Sequence, residues 1–588
     1  MPSDSALARL FARSRVQADA SWFSLPGGQT LYAAGDPSDQ LYLLRAGRLG
    51  VFRREPGSEP QFLGVIRPGE PVGEMALVAG SAHSADVVAL RDSEIFSLPR
   101  DAFFEACESD ATVMTELARL MILRTRQAAA KGALGEPSVF GFLPVGAPGP
   151  IRPMVEGIAQ EIAALGYSVT CIGSEAHTAP TEWFSNVERD HDFVLYLAET
   201  SDQNWRPLVS RQVDRLFRVG RGDRKPSRRG DATPRPPSPL EAQQLVDLIL
   251  VHSADARSPS GSEAWLDAEN PARLFHLRRE HAPDLQRLAR VLTGQSVGLV
   301  LSGGGARAYA HIGAVRALRE RGVPIDFLGG VSMGAVIAAG VALGWDDAEM
   351  ERRIRQAFVD TSPLDDVALP ILAMTHGVKV NERLAHNFGQ TEIADLWLPF
   401  FCLSSNLTTG AYHMHRRGLL RTALRATISL PGVLPPATDG QNVLVDGAVM
   451  KNFPADVMRI SQIGPIVGVD VTSGRSITAD DVARPSTFWR WIWSGQWRRG
   501  PPIVSLLMRA ATVSTSRDLA AAREATDLLV LPDVAKVEIR DFGAFEPAVA
   551  EGYRATLAAL DKLGRPVQSM RRRASLEDRK AAASRSAQ

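Results

Sequence analysis

The stretch Gly329-Gly330-Val331-Ser332-Met333-Gly334 constrains the fold of this chain more than any other. It separates an apolar run, Ile325-Asp326-Phe327-Leu328, from a run of small residues, Ala335-Val336-Ile337-Ala338-Ala339. A G-x-S-x-G pattern between a strand and a helix marks a tight turn, with Gly330 and Gly334 bracketing a serine that the turn holds exposed. Such a turn belongs to an α/β architecture. A serine hydroxyl is a poor nucleophile until a neighbouring base takes its proton. The usual base is a histidine that follows the acid near the end of the chain, and here the last histidine is His415. Nothing between Arg416 and Gln588 can play that part.

Two other segments carry chemistry of their own. VGLVLSGGGARAYAHIGA (297–314) reads as a buried strand, the loop Gly303-Gly304-Gly305 and a helix. Glycines at such a junction turn backbone N–H groups toward an anion, helped by the positive end of the helix dipole. That anion is either a phosphate or the oxyanion of acyl transfer, with a plain packing turn as the third reading. No G-K-[ST] follows, and the G-x-G-x-x-G spacing of a dinucleotide loop is absent. NVLVDGAVMKNFP (442–454) puts Asp446 after a β-rich run and before Gly447. Asp-Gly is a common turn, yet a carboxylate at a strand end is also where open α/β sheets keep their chemistry. It accepts a serine proton directly when it lies within hydrogen-bond reach. His311, in the helix after the glycine loop, reads as structural, and His413 and His415 bracket Met414 in a strand. No His/Asp/Glu grouping has ligand spacing, so no metal is expected.

Gly-Gly-Gly-Ala-Arg, Gly-Val-Ser-Met-Gly and Asp-Gly-Ala, in this order and spacing, resemble the patatin-like phospholipase domain. RATISLPGVLPP (425–436) is similar to the proline-containing segment that this family places before its aspartate. The resemblance covers residues 296–560 and implies a Ser–Asp dyad that works without histidine. It makes Ser332 the nucleophile and Asp446 the general base. The backbone amides of Gly303, Gly304, Gly305 and Ala306 become the oxyanion hole, and Arg307 orients their loop. Gly330, Gly334 and Gly447 support the two catalytic turns. Ala308 departs from the family, which usually has glycine there.

From Gln29 to Pro99 apolar and polar residues alternate between turns, as in a small antiparallel barrel or sandwich; helical spacing follows from Arg100, with Phe103, Phe104 and Leu117 on the buried face. AAGDPSDQLYLLRAGRLGVF (33–52) and GEMALVAGSAHSADVV (73–88) resemble a cyclic nucleotide-binding domain. The resemblance implies a phosphate cassette at Gly73, Glu74, Ala76, His83 and Ser84, with Glu74 on the ribose. Where the family has proline and a phosphate-pairing arginine, this chain has Ala82 and His83. Neutral histidine lacks both the charge and the fork of a guanidinium, a loss of about 1.5–3 kcal/mol, or one to two decades of affinity. Asp86, where the family has Thr or Ser, adds repulsion. A cyclic nucleotide is thus the one candidate regulatory ligand, and the substitutions favour a degenerate sensor or docking module. No catalytic cofactor is expected.

The expected fold class is multidomain, α/β plus β-rich. A cyclic nucleotide-binding-like β-barrel with C-terminal helices (1–130) and a linker (131–138) precede an intermediate Rossmann-like α/β sandwich (138–290) holding a Pro/Arg/Gly-rich loop at 220–239. A patatin-like α/β domain (296–563) and a disordered, solvated tail (564–588) complete it. With LFHLRREHAPDLQRLARVLTGQSVGLVLSGGGARA (274–308) as the approach to the last domain, this organisation resembles the neuropathy target esterase family. That implies a lysophospholipase or phospholipase cleaving carboxylic esters of glycerophospholipids. The competing class is a non-catalytic, cyclic nucleotide-responsive signalling or membrane-docking scaffold.

Composition narrows the partners. Lys and Arg number 66 against 66 Asp and Glu, so the whole chain offers no charge argument for nucleic acid. Three dispersed cysteines suit a reducing compartment, and without a signal-peptide core or a membrane-spanning apolar run the expectation is a cytoplasmic protein, peripheral on a membrane at most. TFWRWIWSGQWRR (487–499) supplies a candidate membrane contact in Phe488, Trp489, Trp491, Trp493 and Trp497 beside three arginines; packing of those indoles onto the protein's own core is the alternative.

Overall fold

The computed structural model describes residues 21–53, 61–110, 112–115, 117–119, 121, 137–146, 148–226, 245–360, 366–368, 373–472 and 516–586. The linker at 131–136, most of the 220–239 loop and the tryptophan-rich 487–499 segment lie outside them. The described residues fall into two compact units, one within 1–220, 227–249 and 574–588, the other within 221–226 and 250–573.

The first unit begins with two four-stranded sheets whose strand pairings are antiparallel. One runs in the order Ser21–Leu25, Ser93–Pro99, Gln40–Ala46, Pro71–Val72, and the other Thr30–Tyr32, Asp86–Ala89, Leu49–Arg53, Gln61–Ile66. Alternation puts Leu44, Leu49, Val87 and Ile95 between them as a shared core. The helix Arg100–Ser109 closes one side through Phe103 and Cys107. The α/β part follows, its parallel strands in the order Val169–Ile172, Phe193–Leu197, Val139–Pro144, Arg215–Arg221. Helix Arg152–Ala164 buries Val155, Ile158 and Ile162, the i, i+3, i+7 stripe of an amphipathic helix. A buried ionic cluster joins barrel to sandwich within this unit: Arg91 pairs with Glu188 and Asp214, and Arg48 with Asp214. Burial pushes the Asp214 carboxyl up, but the two guanidinium groups outweigh it and hold the carboxyl well below the usual range.

The end of the chain corrects the expectation of a disordered tail. Residues 567–571 form a 3-10 turn, with Arg571 bonded to Asp527 at 2.7 Å, and Leu576–Ser586 is a helix. Ser575 and Asp578 cap that helix reciprocally, each accepting the other's backbone N–H, and Asp192 of the first unit accepts the Leu576 N–H at 2.6 Å. The Ser-Leu-Glu-Asp capping box at 575–578 is the sequence signal for this helix.

The second unit is built on an eight-stranded sheet. Its strands are β1 (Gly298–Leu301), β2 (Phe327–Val331), β3 (Phe400–Asn406), β4 (Ala411–His415), β5 (Ala437–Asp439), β6 (Asn442–Asp446), β7 (Ile466–Val469) and β8 (Leu528–Val530). Their order is β5-β6-β3-β2-β1-β7-β8, with β4 also paired to β3. The central strands β3, β2, β1, β7 and β8 are parallel and, apart from the buried Ser404-Ser405-Asn406 end of β3, apolar, as in a sheet covered on both faces. β6 runs antiparallel to β3, pairing Asp446 with Ser404, while β2 ends alongside Leu403. That geometry brings the end of β6 to the end of β2. Helices α1 (Ala310–Glu320) and α2 (Met333–Ala342) follow β1 and β2 and are buried along most of their length. Among the described residues no helix is long and apolar enough to cross a membrane.

Candidate active site

Ser332 sits where β2 turns into α2, with φ 53° and ψ −132°, a conformation that few residues other than glycine tolerate. The turn is held from both sides. A Cβ at Gly330 would approach Ala335 N to 2.8 Å, and one at Gly334 would strike the Ser302 carbonyl. The Ser332 N–H donates to Thr427 Oγ1 at 2.9 Å, and that hydroxyl donates to Leu403 O at 2.5 Å. Thr427 is wholly buried and ties the turn to the neighbouring strand.

The Ser332 hydroxyl donates to Asp446 Oδ2 at 2.6 Å. Asp446 is 2 % exposed; its Oδ1 accepts the Ala448 N–H at 2.9 Å, and its own N–H donates to Ser429 O. Gly447 lets the chain turn beneath Leu403, whose carbonyl a Cβ would hit. Burial pushes the Asp446 carboxyl up to about 6, against the hydrogen bonds from Ser332 and Ala448 that lower it. It is therefore mostly ionised at neutral pH and a stronger base than a solvated aspartate.

No described histidine bonds to either group. His311 spends Nε2 on Ser302 O at 2.8 Å, and burial holds its pKa down to about 4. His415 Nε2 bonds Ser404 Oγ at 2.7 Å, and burial, then the neighbouring His413, lowers it to about 4. Both are neutral above that range. Among the described residues no cluster of His, Cys, Asp and Glu is placed to hold a metal.

The glycine loop follows β1 and opens the 3-10 turn Gly305–Tyr309, which runs into α1. A Cβ at Gly303 would lie 3.1 Å from Ser332 Cβ, so loop and serine meet only because that residue is glycine. The four amides named from sequence divide into two pairs. Gly303 N–H donates to Asn452 Oδ1 at 3.1 Å and Ala306 N–H to Ile539 O at 2.8 Å, so neither is available to an oxyanion. Both are corrections: these amides brace the loop. Gly304 and Gly305 N–H make no hydrogen bond to another described residue. Gly305 needs its φ of 56°, and a Cβ there would strike the Ile539 carbonyl. Arg307 donates to Val537 O at 2.6 Å, anchoring the far side.

Thr427 and Asn452 went unremarked in the sequence although both lie inside quoted segments. Asn452 bonds Gly303 through both ends of its amide and also donates to Thr472 Oγ1 at 3.1 Å. The signal was a polar residue within an apolar stretch, six positions after the aspartate.

In the first unit, His83 is buried and its ring stacks on Tyr32 with centroids 3.6 Å apart. Burial lowers its pKa despite Asp36 and Asp39, leaving it neutral. Glu74 is buried at the first position of the helix Glu74–Ala79, which Gly73 precedes at φ 87°. Ala76 is buried in that helix, Ser84 is exposed, and Asp86 is buried with its Oδ1 accepting the Ala34 N–H at 2.8 Å.

A family model described as patatin-like phospholipase matches residues 299–459, and one described as cyclic nucleotide-binding domain matches 22–110. An uncharacterized NTE family protein of Mycobacterium tuberculosis is 31% identical over 91% of this chain and 91% of its own. Patatin-like phospholipase domain-containing protein 7 of Rattus norvegicus is 28% identical over 92% of this chain, which corresponds to 45% of that longer protein. Neuropathy target esterase sws of Drosophila melanogaster is 27% identical over 90% of this chain and 42% of its own length.

Proposed function

The chain belongs to the NTE family and is a lipid hydrolase with an N-terminal cyclic nucleotide-binding fold and a patatin domain; we propose that it cleaves carboxylic esters of lysophospholipids and other glycerophospholipids through a Ser332–Asp446 dyad. The observation that carries the reading is the 2.6 Å bond between Ser332 Oγ and the buried Asp446 carboxylate. Asp446 takes the hydroxyl proton as Ser332 attacks the ester carbonyl. The tetrahedral oxyanion that forms is met by the uncommitted N–H groups of Gly304 and Gly305, assisted by the dipole of the helix they precede. Collapse expels the alcohol half of the lipid, which takes the proton from Asp446. Water, deprotonated by Asp446, then attacks the acyl-serine, and the fatty acid leaves as Ser332 recovers its proton.

Fluorophosphonate labelling and lysophosphatidylcholine hydrolysis test the assignment together. Ser332→Ala should abolish both, and Asp446→Asn should cut hydrolysis by about 10³-fold or more. Labelling that persists without Ser332 refutes the dyad.

The N-terminal fold serves this enzyme as a degenerate sensor or docking module and not as a working cyclic nucleotide receptor: its phosphate position holds a histidine packed on Tyr32, its pKa lowered by burial. Membrane contact falls to the tryptophan- and arginine-rich 487–499 segment, whose composition suits a lipid headgroup layer. Serine replacements of its tryptophans should weaken liposome co-sedimentation, and unchanged binding by folded protein discards that role.

A further inference from the structure

A cavity of about 240 Å³ lies at the starts of β2 and β3, the opposite end of the sheet from Ser332. Leu274, Phe327, Leu398, Phe401, Met414 and Met458 give it apolar walls. Its charged lining is cationic: Arg273, Arg416 and Arg417 contribute to it beside the uncharged Asn270 and Ser461, and no Asp or Glu does. Arg417 is already committed to Glu263 and Asp267. Arg416 is exposed and makes no ion pair or hydrogen bond with another described residue. His276 is spent as well: its Nε2–H donates to Ala394 O at 2.7 Å, so its Nδ1 accepts from His252 Nε2 at 2.9 Å.

Apolar walls exclude a polar ligand, and a guanidinium without a counter-ion selects an anionic end. Both demands are met by a molecule with a single chain and a carboxylate. We propose that this cavity binds a free fatty acid, its chain against the apolar walls and its carboxylate on Arg416. The site is separate from the catalytic one: four residues of strand from Leu328 to Ser332 span roughly 13 Å. That the ligand is the enzyme's own product rests on the hydrolase reading; the cavity and its charge do not.

The test uses the full-length chain carrying Ser332→Ala, so its outcome is independent of whether Ser332 is the nucleophile. Binding of the fluorescent fatty acid cis-parinaric acid should saturate, with oleate displacing it and methyl oleate displacing it poorly. Arg416→Glu should weaken binding about tenfold. Ala272→Trp, at an exposed lining residue whose enlargement spares the core, should weaken it as well. Binding that both variants leave unchanged places the ligand elsewhere and overturns the proposal. Equal displacement by methyl oleate removes the role of charge, and stronger displacement by lysophosphatidate makes the ligand a lysolipid; either result overturns it too.

Discussion

The turn at Gly303–Gly305 and the turn at Gly73–Glu74 use one backbone device, a glycine in the left-handed region opening a helical turn, at φ 56° and 87°. What stands opposite separates them. Beside the first are Ser332 and Asp446, a hydroxyl already bonded to a base, with two amides that no described residue claims. In the second, the side chain where a phosphate would need its guanidinium is a neutral imidazole lying flat on Tyr32, and Asp86 is buried nearby. A backbone cradle makes an anion site available, and one or two side chains decide whether it is used. The template persists at both places, while the chemistry is complete at only one.

Among variants that set the two turns against each other, Gly305→Ala should show the largest effect. The added Cβ meets the Ile539 carbonyl and the positive φ is strained, so the oxyanion loop must shift; kcat should fall about 10²–10³-fold, the usual cost of a lost oxyanion donor. Gly73→Ala is also strained by its φ of 87°, but its Cβ would find its nearest neighbours at 3.4 Å and lies far in sequence from the dyad, so it should cost stability in the first unit and leave kcat unchanged. Equal losses in the two variants break the contrast between the turns.

Next in size is the gain expected from rebuilding the second turn. The triple variant Ala82→Pro, His83→Arg, Asp86→Thr restores the guanidinium and removes a carboxylate, and should raise cyclic AMP affinity by about 10–100-fold in calorimetry. Tight binding by the wild-type chain, with no gain in the variant, contradicts the degenerate reading.

A tenfold effect is expected at Thr427. Thr427→Val keeps the shape but removes the acceptor for the Ser332 N–H and the donor to Leu403. A lost hydrogen bond of about 1.4 kcal/mol lowers kcat roughly tenfold with KM little changed. Thr427→Ser should restore it; a serine variant as impaired as the valine one assigns Thr427 to packing instead.

Much of this was legible because it is local. Strand, glycine turn and helix follow one another in sequence at both Gly303 and Ser332, so periodicity and turn chemistry were sufficient to read them. Asp446 was reachable because it too ends a strand. The braces were not: Thr427 to Ser332 spans 95 residues and Asn452 to Gly303 spans 149, and no spacing rule connects such positions. For the same reason the four oxyanion amides looked equivalent in sequence, although Asn452 and Ile539 claim two of them. The final helix carries too few apolar residues to show a helical stripe, so its only local signal is the Ser575–Asp578 capping pair.

The last effect is read in stability and not in turnover, and it asks whether the complete site carries a cost that the incomplete one does not. The folded chain holds Asp446 at about 6, above its ordinary 3.8, because burial disfavours the anion more than the Ser332 and Ala448 hydrogen bonds favour it. A raised pKa means the fold prefers the protonated acid: the stability it contributes is fully present below pH 3.8 and is lost as pH rises through about 6. At pH 8 the ionised carboxylate therefore costs on the order of 2–3 kcal/mol relative to the unfolded chain. Asparagine is uncharged at every pH, so Asp446→Asn should raise the melting midpoint of the catalytic unit by a few degrees at pH 8 and lose that advantage by pH 4. Wild-type kcat/KM should fall about tenfold per unit below pH 6, since only the carboxylate can accept the serine proton. A gain in stability equal at both pH values means that Asp446 is not strained by its charge, and the base must then be sought in an ordinary, low-pKa carboxylate.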